Sequence, residues 1–140
     1  MQKPTRHTGT FKKLIPGISV GLVILVLTGL PGNCFPVVRT FWEWLSPDKI
    51  VHSIMFLGLA FASMWGFRND YIKGDKRFRK NARTVALFAC CAYGGLTELL
   101  QKYVFVGRYG SFFDFYADVI GCFLGVLMFH AFFQKKQKIR

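Results

Sequence analysis

Polar side chains recur in pairs at helical spacing near the ends of the apolar stretches of this sequence. The pairs, three or four residues apart, are Asp48 with His52, Glu98 with Gln101, and Asp114 with Asp118. Residues at this spacing share one face of an α-helix, so both members of a pair point in one direction. An imidazole near several carboxylates supplies groups for general acid–base catalysis and ligands for a divalent metal. The catalytic candidates are therefore His52, Glu98 and Asp114.

The elements that must position these residues are long and apolar. A membrane-spanning helix needs about 20 mostly apolar residues to cross a hydrocarbon core of about 30 Å. Hydrophobic residues form 52% of the 140 residues, which is more than a soluble domain of this size readily covers with polar surface. The sequence therefore predicts one all-α, polytopic membrane domain over 14–133, with basic tails at 1–13 and 134–140. Its four spanning helices are expected at about 14–30, 48–67, 83–103 and 112–133.

The first apolar segment has the length and basic lead-in of a signal peptide. No small-residue cleavage site follows it, and the sequence LPGNC lacks the small residue normally placed before a lipoprotein cysteine. We therefore expect a retained anchor. The stretch between the first two segments carries Trp42 and Trp44 among single charges, which is typical of a short interfacial helix with its indoles at headgroup depth.

The distribution of charge predicts the orientation. The net charge is +12, and most of the 19 basic residues fall within 1–13, 68–83 and 134–140. The loops at 31–47 and 104–111 contain only Arg39 and Arg108 as basic residues. The positive-inside rule therefore places both termini and the 68–83 loop in the cytoplasm. We expect the chain in the inner membrane of a bacterial cell. The same clustering explains the charge without nucleic acid, which is not expected as a partner, whereas membrane lipids are.

In this orientation most acidic residues map to the outer half: Glu43, Asp48, Glu98, Asp114 and Asp118. His52, Glu98 and Asp118 lie four to six residues inside their helices, about 6–9 Å below the interface. Burying one such charge costs on the order of 2.5–3.5 kcal/mol. Mutual pairing around a shared polar pocket is therefore expected, with Gly121 and Gly125 allowing close helix contact below it. The alternative is an ion-pair staple, formed with Arg108, that only holds the bundle closed.

Four cysteines are present, at Cys34, Cys90, Cys91 and Cys122. No CxxC pair occurs, which disfavours a zinc knuckle. Three of the four lie in apolar runs, where cysteine usually packs as a small residue. The sequence assigns them no role and leaves cofactors and bound metal open.

The polar residues resemble those of the VanZ-like family of small membrane proteins. The matching pieces are Asp48-Lys49-x-x-His52-x-x-x-Phe56, Glu98-x-x-Gln101, and Gly107-Arg108 followed by Asp114-x-x-x-Asp118-x-x-Gly121-x-x-x-Gly125. These pieces span about 48–125. The chain departs from the family pattern at Asp118, where VanZ-like proteins often have Asn. The resemblance implies a multipass fold and a cell-envelope role linked to reduced susceptibility to the glycopeptide antibiotic teicoplanin. It supplies no mechanism.

Two functions follow for the outer pocket. The first is binding of a lipid-linked cell-wall precursor or a lipoglycopeptide, with Phe105, Phe112, Phe113 and Phe115 as walls. The candidate ligand-binding residues are Asp48, His52, Glu98, Gln101, Arg108, Asp114 and Asp118, although Gln101 also suits a hydrogen bond between helices. Arg108 would contact a phosphate or carboxylate as a bidentate donor.

The second function is that of a membrane-embedded hydrolase or transferase acting on a polyprenyl-linked substrate through His52 and the carboxylates. HExxH does not occur. The pattern GxSxG occurs once, at Gly17-Ile18-Ser19-Val20-Gly21, but it lies within the first apolar segment and not at a strand-to-helix turn, so no established catalytic motif identifies the reaction. A transporter is disfavoured, because the polar groups are confined to one half of the predicted membrane. A homo-oligomer is left open.

Overall fold

The computed structural model describes residues 9–30, 47–105 and 111–138, and the regular structure in these ranges is entirely helical. The helices are α1 (Thr10–Gly29), α2 (Pro47–Gly66), α3 (Arg68–Lys73), α4 (Lys76–Tyr103) and α5 (Phe112–Lys138). Four of them are long and apolar enough to cross a membrane. The all-helical fold and the four candidate spans are therefore confirmed. The orientation stays a prediction, and the interfacial helix expected between α1 and α2 lies outside the described residues.

The helices extend beyond the predicted apolar segments, most clearly at α4. This helix begins at Lys76, whereas the sequence predicted a start near residue 83. Asp75 is its N-cap, and the Asp75 carboxylate accepts a hydrogen bond of 2.7 Å from the Phe78 backbone N–H. Much of the predicted 68–83 loop is consequently helical, formed by α3 and the first turns of α4. Hydropathy marks where a helix meets lipid, but a capped helix continues into water.

Helices α2 and α5 approach each other closely at two glycines. A Cβ atom added at Gly121 would collide with the Ser53 carbonyl oxygen, and one added at Gly125 would collide with that of Leu57. The Ser53 hydroxyl also donates a hydrogen bond of 2.9 Å to the Ala117 carbonyl. Small residues let two helix backbones approach in this way, and the close contact predicted at the two glycines is confirmed.

Polar contacts gather several helices at the basic end of the bundle. The Lys13 ammonium on α1 lies 2.6 Å from the Asp70 carboxylate on α3. Tyr71 is 2% exposed, and its hydroxyl lies 2.6 Å from Nδ1 of His130 on α5. Burial raises the pKa of Tyr71 above its ordinary value, so the phenol stays protonated and donates to His130. The short helix α3 therefore ties α1 and α5 together at this end.

Helix α1 is held against α4 partway along its length. The Tyr93 hydroxyl donates a hydrogen bond of 2.6 Å to the Gly21 carbonyl. An apolar groove of about 840 Å³ lies beside this contact, and residues of α1, α2 and α4 line it. Leu14, Ser63 and Phe78 are among its lining residues.

We predict that Gly121→Ala destabilises the bundle by about 1–3 kcal/mol, because the added methyl group overpacks the α2–α5 contact. Gly58→Ala is the matched control. It lies on α2 with nothing within 4 Å of an added Cβ, so higher helix propensity makes it neutral or stabilising by up to about 1 kcal/mol. Thermal unfolding in detergent, followed by circular dichroism, measures both. Equal effects of the two substitutions would contradict the described packing.

The predicted orientation is tested by reporter fusions. A fluorescent protein fused after residue 74 or after the C-terminus should fluoresce, because both points are expected in the cytoplasm. Alkaline phosphatase fused after residue 104 should be active, because three spans place that point outside the inner membrane. The reverse activity pattern would show that the charged end faces outward.

Candidate functional site

Three of the predicted residues meet in the interior at the opposite end of the bundle. His52 on α2, Glu98 on α4 and Asp118 on α5 are 3%, 8% and 0% exposed. His52 Nδ1 lies 2.9 Å from Asp118 Oδ1 and 4.0 Å from Glu98 Oε1. The structure thus brings together ionisable side chains from three helices, and we call these three residues the buried triad.

The antiparallel arrangement of the helices places the triad at one level. Helices α2 and α5 begin at this end and α4 ends there, so residues about one and a half turns inside each helix reach the same depth. Gly94, one turn from Glu98, makes the space for Asp118: a Cβ at Gly94 would lie 3.2 Å from Asp118 Cβ. The missing side chain therefore lets α4 approach the Asp118 carboxylate directly.

Two further carboxylates extend the site toward the surface. Asp48, His52 and Asp114 each offer a ligand atom, and these atoms lie within 4.8 Å of one another. Asp114 is buried and Asp48 is exposed. Because His52 belongs to both groups, the site forms a continuous polar path from the exposed Asp48 to the fully buried Asp118.

The hydrogen bonds of the triad leave two of its oxygens without a partner. Glu98 Oε2 accepts a bond of 2.8 Å from the Ser111 backbone N–H, and Asp118 Oδ1 is paired with His52. Glu98 Oε1 and Asp118 Oδ2 are buried and have no hydrogen-bond partner among the described residues. An unsatisfied buried polar atom costs about 1–3 kcal/mol, and more if it is charged. A proton, a cation or a ligand donor at these atoms would remove that cost.

Gln101 lies near the triad but serves a different contact. It is 2% exposed, and its Nε2 donates to the Thr28 backbone carbonyl of α1 at 3.3 Å. The structure therefore places Gln101 in the α1–α4 contact, which agrees with the helix–helix interpretation of its sequence position. Thr28 was not identified from the sequence, because it contributes only its backbone carbonyl to this contact.

The Ser111 N–H was also not foreseen, because a backbone donor leaves no trace in the residue types. The side chain of Ser111 did give a signal for the start of α5. Its hydroxyl accepts a bond of 3.2 Å from the Phe113 N–H, as expected of a serine that precedes a helix. Ser111, directly before α5, thus orients the Glu98 carboxylate.

The aromatic residues surround the site differently from the predicted wall. Phe112 and Phe113 are 84% and 64% exposed on α5, and Phe105 packs against Gly29 of α1. Phe115 contacts α4 beside Gly95. In a membrane, the exposed rings of Phe112 and Phe113 at the start of α5 would contact the acyl chains of the surrounding lipids. Arg108 lies at 106–110, outside the described residues.

The arrangement has two chemical capacities. His52 and Asp118 form a hydrogen-bonded imidazole–carboxylate pair, which orients a general acid or base. The four carboxylates at 48, 98, 114 and 118 provide acceptors for ammonium groups, hydroxyl groups or a cation. Either capacity needs the path that begins at Asp48.

The chain matches no protein-family model, no curated protein and no solved structure. The resemblance to the VanZ-like family therefore depends on the motif residues themselves.

Proposed function

We propose that this chain is a VanZ-like protein of the bacterial inner membrane that binds an amphipathic envelope molecule at the outer leaflet. The ligand class is a lipid-linked cell-wall precursor or a lipoglycopeptide. The observation that carries the proposal is the burial of His52, Glu98 and Asp118 in one cluster within apolar helices. Ionisable groups in membrane spans are costly and usually serve binding or transport.

The polarity of the site defines what part of the ligand it would hold. Carboxylates are acceptors, so they suit amines and sugar hydroxyls, both of which glycopeptides and lipid-linked precursors carry. Arg108, which is part of the VanZ-like motif, would add a bidentate donor for a phosphate or carboxylate. The exposed Phe112 and Phe113 would contact the ligand's hydrocarbon chain in the surrounding bilayer.

The pairing within the triad favours a binding role over a purely structural staple. A staple stabilises most when every charged atom is paired, because buried ion pairs barely repay their desolvation. Here Glu98 Oε1 and Asp118 Oδ2 have no hydrogen-bond partner in the described parts of the chain. Groups left available in this way are what a ligand site provides. The implied link to teicoplanin susceptibility would follow from occupation of this site.

Native mass spectrometry of gently extracted protein tests the proposal. We expect wild type to carry a polyprenyl-phosphate-type lipid or, after incubation, teicoplanin, and His52→Ala and Glu98→Gln to lose the bound mass. Asp70→Asn is the control, because it removes a carboxylate at the opposite end, where Asp70 forms a partly exposed ion pair with Lys13. The proposed site would be contradicted if wild type and all three folded variants retained the ligand, or if none of the four proteins carried it.

The His52–Asp118 hydrogen bond of 2.9 Å favours a second candidate function. A buried imidazole oriented by a carboxylate is the arrangement of a general base, so the site suits a hydrolase or transferase acting on a polyprenyl-linked substrate. The same spectra separate the two functions. If the chain is a binding protein, added polyprenyl diphosphate keeps its mass, whereas an enzyme converts it to a product of different mass. In the enzyme case, Asp118→Asn should bind the substrate without converting it.

A further inference from the structure

The buried triad has the donor set of a metal centre. One ligand atom each from His52, Glu98 and Asp118 lies within 4.8 Å of the others, and all three residues are more than nine-tenths buried. We infer that these residues bind one divalent transition-metal ion. This inference does not depend on the proposed envelope ligand, because the ion is held by side chains of the protein alone.

The distances between the donors suit a single ion. Donors that bind one ion at about 2.0–2.2 Å lie at most about 4.4 Å apart. His52 Nδ1 lies 2.9 Å from Asp118 Oδ1 and 4.0 Å from Glu98 Oε1, within that limit. Metal binding would replace the His52–Asp118 hydrogen bond, because an imidazole nitrogen that coordinates a metal carries no proton.

An independent observation points to the same ligand. Glu98 Oε1 and Asp118 Oδ2 are buried without a hydrogen-bond partner in the described residues, although each carboxylate has its other oxygen engaged. The Ser111 N–H holds Glu98 Oε2 at 2.8 Å and so orients the carboxylate, as outer hydrogen bonds do for metal ligands. A divalent cation supplies the charge and the contacts that these oxygens lack.

The mixture of donors selects the class of ion. Mg²⁺ and Ca²⁺ prefer oxygen ligands only, and Cu⁺ prefers thiolates. One imidazole nitrogen with carboxylate oxygens suits Mn²⁺, Fe²⁺ or Zn²⁺. Asp114 and the exposed Asp48 lie beside His52 and provide an acidic entry path for the cation.

The test uses the full chain, purified in detergent without a polyhistidine tag and stripped with a chelator. Mn²⁺ is the probe, because it binds thiolates weakly and so avoids the free cysteines Cys90, Cys91 and Cys122. Loss of the free-ion signal in electron paramagnetic resonance counts bound Mn²⁺. We expect one Mn²⁺ per chain, displaced by Zn²⁺, which binds such sites more tightly.

Two near-isosteric variants and one control localise the ion. Glu98→Gln and Asp118→Asn should each weaken Mn²⁺ binding about tenfold or more, since each removes a charged ligand. Thr97→Val should bind as wild type does: Thr97 is buried next to Glu98, but its hydroxyl donates only within its own helix, to the Gly94 carbonyl at 2.9 Å.

Two results would overturn the metal site: folded wild type that binds no Mn²⁺ at millimolar concentration, or Glu98→Gln that binds as tightly as wild type. If Asp118→Asn does not fold, Glu98→Gln decides, because its amide oxygen still accepts from the Ser111 N–H. Bound Mn²⁺ without a bound lipid in native mass spectra would support the metal site and reject the proposed envelope ligand.

Discussion

A charged side chain cannot face hydrocarbon without a cost on the order of 2.5–3.5 kcal/mol, and this constraint governs how the bundle is arranged. His52, Glu98 and Asp118 belong to three different helices, so each can leave the lipid only by facing the other two. Meeting at one point fixes the rotation of α2, α4 and α5 about their own axes. The helix faces that carry the candidate site therefore turn inward.

Close backbone approach makes this meeting possible. The His52–Asp118 hydrogen bond of 2.9 Å joins two short side chains, and it forms because α2 and α5 touch at Gly121, on the face that carries Asp118. Gly94 does the same on α4. Helix α1 also approaches α2 closely at Gly17 and Gly66, and hydrogen bonds from Tyr93 and Gln101 to its backbone hold it against α4. The site thus lies where helix backbones approach closely, which holds its ionisable groups rigidly.

Much of this arrangement could be predicted from the sequence, because a bilayer restricts both the length of each spanning helix and the places where charged residues can lie. Span length follows from membrane thickness, and the helical period puts Asp114 and Asp118, or Asp118 and Gly121, on one face. Once four helices and the depth of each polar residue were known, the meeting of His52 with Glu98 and Asp118 followed from the cost of burying charge.

Other features could not be predicted, for physical reasons. The early start of α4 depends on the Asp75 cap, which hydropathy does not register. The Ser111 N–H that orients Glu98 is a backbone group, and backbone groups are the same in every residue. Phe112 suits a pocket wall and a lipid surface equally, so only the fold distinguishes the two. Arg108, a candidate ligand residue, lies outside the described residues, and its role stays a prediction.

The central claim is that the buried triad is maintained for binding and not for stability. The most direct test replaces the triad with apolar residues of similar size, as His52→Leu, Glu98→Met and Asp118→Leu in one variant, and measures thermal unfolding together with bound mass. The account predicts a folded variant at least as stable as wild type that carries neither metal nor lipid, because apolar packing usually matches or exceeds a buried ionic group in stability. A variant that fails to fold, or one that is folded but keeps its ligand, would contradict it.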